Sequence, residues 1–284
     1  MKIIHKIADL RSEIADFRQN NKTVGFVPTM GALHQGHLSL VGRAVSENDV
    51  CVVSIFVNPT QFNNKEDLAQ YPRSLEQDAA LLGNVGCALI FNPLPSEIYS
   101  EKELNETFEF DFGGLDAVME GKFRPGHFNG VVQIVSKLFE LIQPDKAYFG
   151  EKDFQQLAII RRMNETLHFG VDIVGCQIVR EASGLAMSSR NERLTPEQKK
   201  NAVGISKVLQ ESTTFVPEKS PKELAAWIVE NINAVNGLEV EYVEIANSDT
   251  LQTAENWEEP TIACVTVFCG DVRLIDNIQY PKFN

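Results

Sequence analysis

The sequence feature that most constrains the fold is the run of residues 50–57, which is rich in β-branched side chains and has no charge. A run that is apolar at nearly every position is typical of a strand in a sheet that is covered on both faces. Further short strands are predicted at residues 23–27, ending at Pro28, and at residues 88–91, with amphipathic helices between the three strands. This alternation predicts a parallel sheet with crossover helices.

The rest of the chain adds further elements and one change of pattern. Helices are predicted near residues 7–17, 38–45, 74–82, 129–143, 153–167, 196–211 and 221–236, and strands near 147–149, 171–179, 239–246 and 261–268. Residues 91–112, which contain prolines and an acidic run, are interpreted as a solvated excursion. Because the pattern changes near residue 180, we predict an α/β domain at residues 1–180 and a smaller α+β domain at residues 181–284.

The charge balance argues against some classes of partner. Lysine and arginine number 26, aspartate and glutamate number 39, and the formal net charge is −13. A field of this sign repels nucleic acid and anionic membranes, and the longest apolar runs are far shorter than the roughly 20 residues of a membrane span. The first residues lack the apolar stretch of a signal peptide, and the five cysteines form no C-x-x-C pair. We therefore expect a cytosolic protein with buried thiols.

The first candidate site is the turn from Met30 to His37, between a predicted strand and a predicted helix. Gly31 and Gly36 have the spacing of a P-loop, but His37 and Leu38 stand where a P-loop needs Lys followed by Ser or Thr. What remains is a glycine-containing turn at a helix N-terminus. Such a turn is expected to bind phosphate through free amides and the helix dipole.

His34 and His37 are the chemically informative side chains of this turn. Their spacing of three predicts that both lie on one helix face, where two imidazoles can donate to phosphoryl oxygens and neutralise developing charge. Two alternatives stay open: structural histidines and a metal site. A zinc site usually has a third ligand and an adjacent Glu, and Gln35 occupies that position.

The second candidate site is the segment Ser188, Ser189 and Arg190. Alone it is a weak signal, since most such segments are capped loops. Together with H-x-G-H it resembles the HIGH and KMSKS-type elements of the nucleotidyltransferase superfamily, in which a mobile second loop closes over the triphosphate. Hydroxyls, amides and a permanent guanidinium charge suit that task.

Six blocks of the sequence carry a more specific resemblance. They are residues 28–37 (PTMGALHQGH), 56–62 (FVNPTQF), 71–73 (YPR), 124–128 (RPGHF), 149–156 (FGEKDFQQ) and 179–191 (VREASGLAMSSRN). Together they resemble the pantothenate synthetase (pantoate–β-alanine ligase) family. Two positions, Phe154 and Ser183, depart from the family's usual Tyr and Asp, and neither is assigned to the chemistry.

The resemblance implies a fold and a reaction. The fold is α/β, with a Rossmann-like parallel-sheet nucleotidyltransferase domain followed by the smaller α+β domain, which covers the active site. The reaction is the ATP-dependent condensation of pantoate with β-alanine to pantothenate through a pantoyl-adenylate, releasing AMP and diphosphate. The implied assembly is a homodimer, with small-molecule substrates and neither nucleic acid nor membrane as partner.

The resemblance also implies roles for individual residues. The catalytic residues are His34, His37, Lys152 and Arg190, and the adenine is met by the main chain of Val179. The ATP-binding residues are Met30, Gly31, Ala32, Leu33, His34, Gln35, Gly36, His37, Gly150, Glu151, Lys152, Asp153, Val179, Met187, Ser188, Ser189 and Arg190.

Neutral amides are the expected partners of pantoate. Gln61 and Gln156, with Asn58 assisting, can position its hydroxyls and carboxylate without removing the charge that makes the carboxylate nucleophilic. Turn and helix capping is the alternative role for these amides. β-Alanine is assigned to Gln61 and to Arg124, whose charge suits its carboxylate.

Mg²⁺ on the phosphates is expected to supply the remaining positive charge, with unknown protein ligands. Two competing functions stay open. One is another H-x-G-H nucleotidyltransferase that acts on a different small acid; a tRNA-charging enzyme is disfavoured by the acidic composition. The other is a binding protein that keeps the fold without catalysis, since fold alone does not determine function.

Overall fold

In the computed structural model, which describes residues 1–62, 65–106 and 108–283, the chain divides into two units. The first unit contains Met1–Asp116, Glu120–Glu151 and Gln156–Cys176. The second contains Ala117–Met119, Lys152–Gln155 and Gln177–Asn284.

The first unit contains a six-stranded sheet in which every pair of neighbours is parallel, as predicted. The strand order is β1-β4-β3-β2-β5-β6, and β3, the uncharged run, is buried at all six positions. Apolar side chains cover it on both faces. The strands are β1 (Lys2–Ile4), β2 (Val24–Thr29), β3 (Val50–Ile55), β4 (Leu89–Phe91), β5 (Lys146–Gly150) and β6 (Asp172–Cys176).

Helices connect these strands, and they agree with the longer predicted helices. The strongest apolar pattern, near residues 129–143, forms a helix that ends just before Pro144. The helices are α1 (Ile7–Gln19), α2 (Gln35–Glu47), α3 (Lys65–Gln70), α4 (Leu75–Asn84), α5 (Pro95–Ile98), α6 (Glu101–Asn105), α7 (Met119–Phe123), α8 (His127–Ile142) and α9 (Phe154–Thr166), with 3₁₀ helices at Pro59–Gln61 and Glu151–Asp153.

Strand β2 continues through Pro28 to Thr29, so the prediction that it ends at Pro28 is wrong. The backbone N–H of Asp145 donates to the carbonyl of Val24. The even-numbered residues of β2 therefore direct their backbone groups towards β5. The β2–β5 pairing ends at Phe26. The N–H that proline lacks is therefore not needed for pairing at position 28.

The excursion between β4 and α7 is not simply solvated, which corrects the interpretation of residues 91–112. Ile98, Tyr99 and Phe112 are buried, and Phe108 and Phe110 pack against the same core. Prolines and acidic residues lie between these apolar side chains and hide their pattern. Tyr99 also reaches a candidate site residue, as described below.

The second unit contains a separate core and an antiparallel sheet in the order β7-β8-β9. Its third strand was not predicted, because Arg273, Asp276 and Asn277 interrupt its apolar pattern. No helix in the described part of the chain is long and apolar enough to cross a membrane. The elements are β7 (Leu238–Asn247), β8 (Thr261–Cys269), β9 (Val272–Tyr280), α10 (Pro196–Ser212) and α11 (Pro221–Asn233), with 3₁₀ helices at Ser189–Arg193 and Thr213–Phe215.

Candidate functional site

The histidine turn, residues 30–37, joins β2 to α2 through two left-handed residues. Gly31 has φ +83° and Ala32 has φ +51°. The Gly31 N–H donates to Thr29 Oγ1 at 3.2 Å. The next two amides donate to one carboxylate, Ala32 to Asp78 Oδ2 at 3.0 Å and Leu33 to Asp78 Oδ1 at 2.8 Å. Asp78, on α4, is only 1% exposed, so this carboxylate fixes the turn from inside the unit.

His34 and His37 cap the start of α2 reciprocally. The Gly36 N–H donates to His34 Nδ1 at 3.1 Å, and the His34 N–H donates to His37 Nδ1 at 3.3 Å. The prediction that both lie on one helix face is wrong for His34, because it is the extended N-cap residue and not part of the helix. The two rings are nevertheless adjacent, with centroids 4.1 Å apart.

The histidine turn differs from the expected phosphate-binding turn with free amides. The amides of residues 31, 32, 33, 34 and 36 already donate to protein side chains, so the expectation of free amides is wrong for them. A backbone N–H can only donate, so Nδ1 of each ring accepts. In the neutral tautomer that fits, Nε2 of each ring bears the proton. The histidine turn therefore offers two Nε2–H donors held by the backbone.

Gln61 is half-buried at the end of a 3₁₀ turn, and three neighbours hold it. Its Oε1 accepts from Asn58 Nδ2 at 3.2 Å and its Nε2 donates to Met30 Sδ at 3.0 Å. Its carbonyl is bonded to His127 Nδ1 at 2.9 Å. His127 therefore links the Pro-Gly-His segment, residues 125–127, to the segment that contains Gln61.

Asn58 is 1% exposed and acts on its neighbours rather than on solvent. Its Nδ2 also donates to the Gly130 carbonyl at 2.9 Å, and its Oδ1 accepts from Tyr99 Oη at 2.8 Å. Burial raises the pKa of the Tyr99 phenol, which keeps this donor protonated. A side chain on Gly130 would collide with the Thr60 carbonyl, so glycine permits this close packing of α8. Asn58 thus positions Gln61.

The two consecutive glutamines of α9 differ in exposure. Gln155 is buried, and its Nε2 donates to the Val118 carbonyl at 2.8 Å. Gln156 is half-buried, so its amide is the accessible one of the pair. Ahead of them, Gly150 ends β5 and Glu151 begins the next 3₁₀ turn; both are half-buried.

Arg124, the candidate partner for the β-alanine carboxylate, is paired within its own unit. Its Nη1 lies 3.5 Å from Glu120 Oε2, one helical turn earlier. Glu120 is therefore an acidic neighbour with which a bound carboxylate would compete.

In the second unit, Val179 and Met187 belong to a tight hairpin. Met187 donates to the Val179 carbonyl at 3.0 Å, and Arg180 and Ala186 form a β-bridge. Ser188 caps the 3₁₀ helix that contains Ser189 and Arg190, its Oγ accepting from the Arg190 N–H at 3.2 Å.

Lys152 and Asp153 lie in the 3₁₀ turn after β5 and are assigned to the same unit. Lys152 is half-buried and Asp153 is exposed. Lys152 and Ser188 line one small cleft, together with Asp276. The structure thus brings together the lysine and the first serine of the predicted ATP-binding set.

Sequence analysis missed the buried residues that hold these segments, namely Asp78, Asp276 and Asn277. For Asp78 a signal exists: it shares the buried face of α4 with Leu82, where an apolar side chain is expected. For the other two the signal is an Asp-Asn pair between the apolar residues Leu274, Ile275 and Ile278.

Metal binding by protein side chains alone finds no support in residues 1–62, 65–106 and 108–283. No three His, Cys, Asp or Glu side chains in these ranges form a group that could hold a metal ion. Mg²⁺ on nucleotides is commonly held by phosphate oxygens and water as main ligands, an arrangement that needs no such group.

The sequence matches a family model described as pantoate-beta-alanine ligase over residues 2–279. Pantothenate synthetase from Bacteroides thetaiotaomicron is 55% identical and covers 99% of this chain and 100% of that protein. Pantothenate synthetase from Porphyromonas gingivalis is 52% identical and covers 99% of both.

Solved structures give the same result. Pantothenate synthetase from Thermus thermophilus has a TM-score of 0.92 at 43% identity, covering 99% of this chain and 100% of that one. Pantoate-beta-alanine ligase from Francisella tularensis, complexed with beta-gamma ATP and β-alanine, has a TM-score of 0.81 at 36% identity, covering 98% of this chain and 97% of that one.

Proposed function

Because this chain belongs to the pantoate–β-alanine ligase family and is a ligase that joins pantoate to β-alanine, we propose a reaction path for it. ATP first activates pantoate as a pantoyl-adenylate, and β-alanine then displaces AMP to give pantothenate. A nucleotidyltransferase for a different small acid is not favoured, since the whole chain matches this family. The observation that best supports the path is the reciprocal capping in the histidine turn, where Nδ1 of each ring accepts a backbone N–H, so that Nε2 bears the proton in the neutral ring.

In the first half-reaction, a carboxylate oxygen of pantoate attacks the α-phosphorus of ATP, and the bond to pyrophosphate breaks. Negative charge grows on the phosphoryl oxygens as this happens. His34 and His37 are proposed to donate from Nε2 to those oxygens, with the backbone holding both rings in advance. The other residues of the turn, from Met30 to Gly36, are proposed to line the nucleotide.

Pantoate is proposed to bind through Gln61 and Gln156. Both are neutral amides, so they can orient the carboxylate without weakening it as a nucleophile. The contacts of Gln61 with Asn58 and Met30 fix its amide before substrate arrives. Asn58 contributes through Gln61, because it is buried and bonded on both of its polar atoms.

The positive charges of Lys152 and Arg190 are proposed to stabilise the departing pyrophosphate, and the hydroxyls of Ser188 and Ser189 are proposed as further hydrogen-bond donors to it. The nearby residues Gly150, Glu151, Asp153, Val179 and Met187 are proposed to contact the nucleotide. Mg²⁺, held mainly by phosphate oxygens, would neutralise further charge on the triphosphate.

In the second half-reaction, the neutral amine of β-alanine attacks the activated carbonyl, the bond to AMP breaks, and the nitrogen releases a proton to the AMP phosphate or to solvent. The Francisella relative is complexed with β-alanine, which supports a site for this substrate here. We propose Gln61 and Arg124 as its partners. Arg124 would exchange part of its 3.5 Å contact with Glu120 for the substrate carboxylate.

The test is AMP formation from ATP with each substrate omitted in turn. Pantothenate and AMP should form together only when both pantoate and β-alanine are present. Replacing pantoate with related hydroxy acids measures acid specificity. AMP formation without pantoate, or equal rates with other acids, would contradict the proposal.

Two further proposals concern the setting of the enzyme. We propose a homodimer, which light scattering of the purified chain would test; a monomer mass would contradict it. We also propose that the enzyme works in the cytosol, where fractionation with a cytosolic marker would place it.

A further inference from the structure

Strand β9 holds two of the proposed ATP-binding segments through consecutive buried residues. Asp276 is 4% exposed and Asn277 is 6% exposed. One of these residues binds the hairpin that leads to Ser188, and the other binds the backbone of Lys152. None of the family blocks in the sequence includes this strand.

Asp276 binds the hairpin through a two-pronged ion pair. Arg180 Nη1 donates to Asp276 Oδ2 at 2.7 Å and Nη2 donates to Oδ1 at 2.9 Å. A planar guanidinium on a carboxylate in this arrangement fixes orientation as well as distance. Arg180 Nη1 also donates to the Gly184 carbonyl at 3.3 Å, so Arg180 also holds the turn of the hairpin.

The hairpin transmits this position to Ser188 and beyond. Glu181 donates to the Leu185 carbonyl at 2.8 Å. Asn191, at the far end of the segment, donates from Nδ2 to Glu181 Oε1 at 2.9 Å and to the Ala186 carbonyl at 3.0 Å. The two serines and Arg190 therefore lie between Met187 and Asn191, which are both hydrogen-bonded to the hairpin.

Asn277 holds the other segment. Its Nδ2 donates to the Lys152 carbonyl at 3.1 Å. The two segments meet at one small cleft, which is lined by Lys152, Ser188, Asn191 and Asp276. A change in either anchor would therefore move one phosphate-binding group relative to the other.

We propose that Asp276 and Asn277 are positioning residues for adenylation, which set the separation between Lys152 and the Ser188–Arg190 segment. This rests on the proposed function of those two segments. Neither residue is given a direct contact with substrate. Their effect is expected in the half-reaction that handles triphosphate, because a displacement of about 1 Å in a positioned group can cost about 10²-fold in rate.

The test compares four variants in three assays. Asp276→Asn removes the charge from the ion pair, Arg180→Lys keeps the charge but not the fork, and Asn277→Ala removes the bond to the Lys152 carbonyl. The matched control is Glu241→Gln, since Glu241 accepts from Arg273 of the same strand at 2.9 and 2.6 Å. The assays are ATP binding by calorimetry, pantoate-dependent ATP–pyrophosphate exchange, and reaction of synthetic pantoyl-adenylate with β-alanine.

Asp276→Asn should lower the exchange rate by about 10²-fold and weaken ATP binding, while aminolysis of pantoyl-adenylate stays close to wild type. Arg180→Lys and Asn277→Ala should show the same selectivity with smaller losses, and Glu241→Gln should change neither half-reaction. Equal loss in both half-reactions would indicate a merely structural role and overturn the proposal. Wild-type exchange in folded Asp276→Asn would also overturn it.

Two further outcomes are decided in advance. If Asp276→Asn does not fold, Arg180→Lys and Asn277→Ala decide the question by the same criteria. If wild type binds ATP but shows no pantoate-dependent exchange, the proposed function fails; weaker ATP binding in the variants, with unchanged binding in Glu241→Gln, would still support the positioning role.

Discussion

The histidine turn and the serine–arginine loop, residues 184–191, are both proposed to bind phosphate, and each depends on one buried carboxylate from another element. Asp78 holds the turn by accepting from two backbone amides. Asp276 holds the hairpin at the base of the loop by accepting from the guanidinium of Arg180. The difference is instructive: backbone donors survive any side-chain substitution in the turn except proline, whereas the loop depends on the identity of one side chain.

The largest expected effect tests the donors of the turn. His37→Ala should leave the fold intact and slow adenylation by about 10² to 10³-fold, because it removes the Nε2–H that is proposed to donate to the developing charge. It also removes the acceptor of the His34 amide. Quenched-flow measurement of pantoyl-adenylate formation would show this. The control is His168→Asn at an exposed position with φ +56°, where Asn is tolerated. Near wild-type formation in His37→Ala would mean that the turn is only a structural cap.

The second prediction asks whether the amides of Gln61 and Gln156 are specific for pantoate. Gln61→Glu should weaken pantoate binding by about 10²-fold, since it sets a like charge near the carboxylate, and ATP binding should hardly change. The variant keeps the acceptor for Asn58 and loses only the donor to Met30 Sδ. Gln156→Glu should act in the same direction.

Calorimetry with each ligand separately measures both effects, and Gln19→Glu, an exposed site on α1, is the matched control. Equal losses of pantoate and ATP binding would refute the assignment of these glutamines.

The third prediction concerns Asp78, the buried carboxylate that holds the histidine turn. Asp78→Asn replaces one acceptor with an N–H group that faces a backbone N–H, and the free energy of unfolding should fall by about 1 to 3 kcal/mol. Urea unfolding measures this change. Asp49→Asn is the control, because Asp49 also accepts a backbone N–H, from Thr23 at 2.8 Å, but is exposed. Equal changes in the two variants would show that burial of Asp78 adds nothing.

Sequence patterns predicted the parallel sheet and the long helices because burial on two faces, or on one helix face, leaves a local period. They predicted the candidate residues through motif resemblance. They did not predict that amides of the histidine turn are already bonded, because the acceptor Asp78 is more than forty positions away. Asp276 and Arg180 are 96 positions apart, and their pairing is equally invisible to a local pattern.

The last prediction compares the turn and the loop directly and has the smallest expected effect. In the loop, the amides of Gly184, Met187 and Asn191 donate to backbone carbonyls, and those of Leu185 and Arg190 donate to serine hydroxyls. In the turn, most amides already have side-chain acceptors. Binding of a non-hydrolysable ATP analogue should slow amide exchange more in residues 184–191 than in residues 30–37 if the loop closes on triphosphate, because closure adds contacts to the loop and leaves the bonds of the turn as they are.

Closure would also exclude water from the pantoyl-adenylate, which hydrolyses when exposed. Arg190→Ala removes the permanent charge of the loop, so closure should weaken, and free pantoate and AMP should be released beside pantothenate. Hydrogen exchange and the ratio of AMP to pantothenate measure the two consequences together. If amide exchange is unchanged on binding and the variant gives equal amounts of AMP and pantothenate, the loop does not close on the triphosphate. The turn and the loop would then differ only in how they are held and not in whether they move.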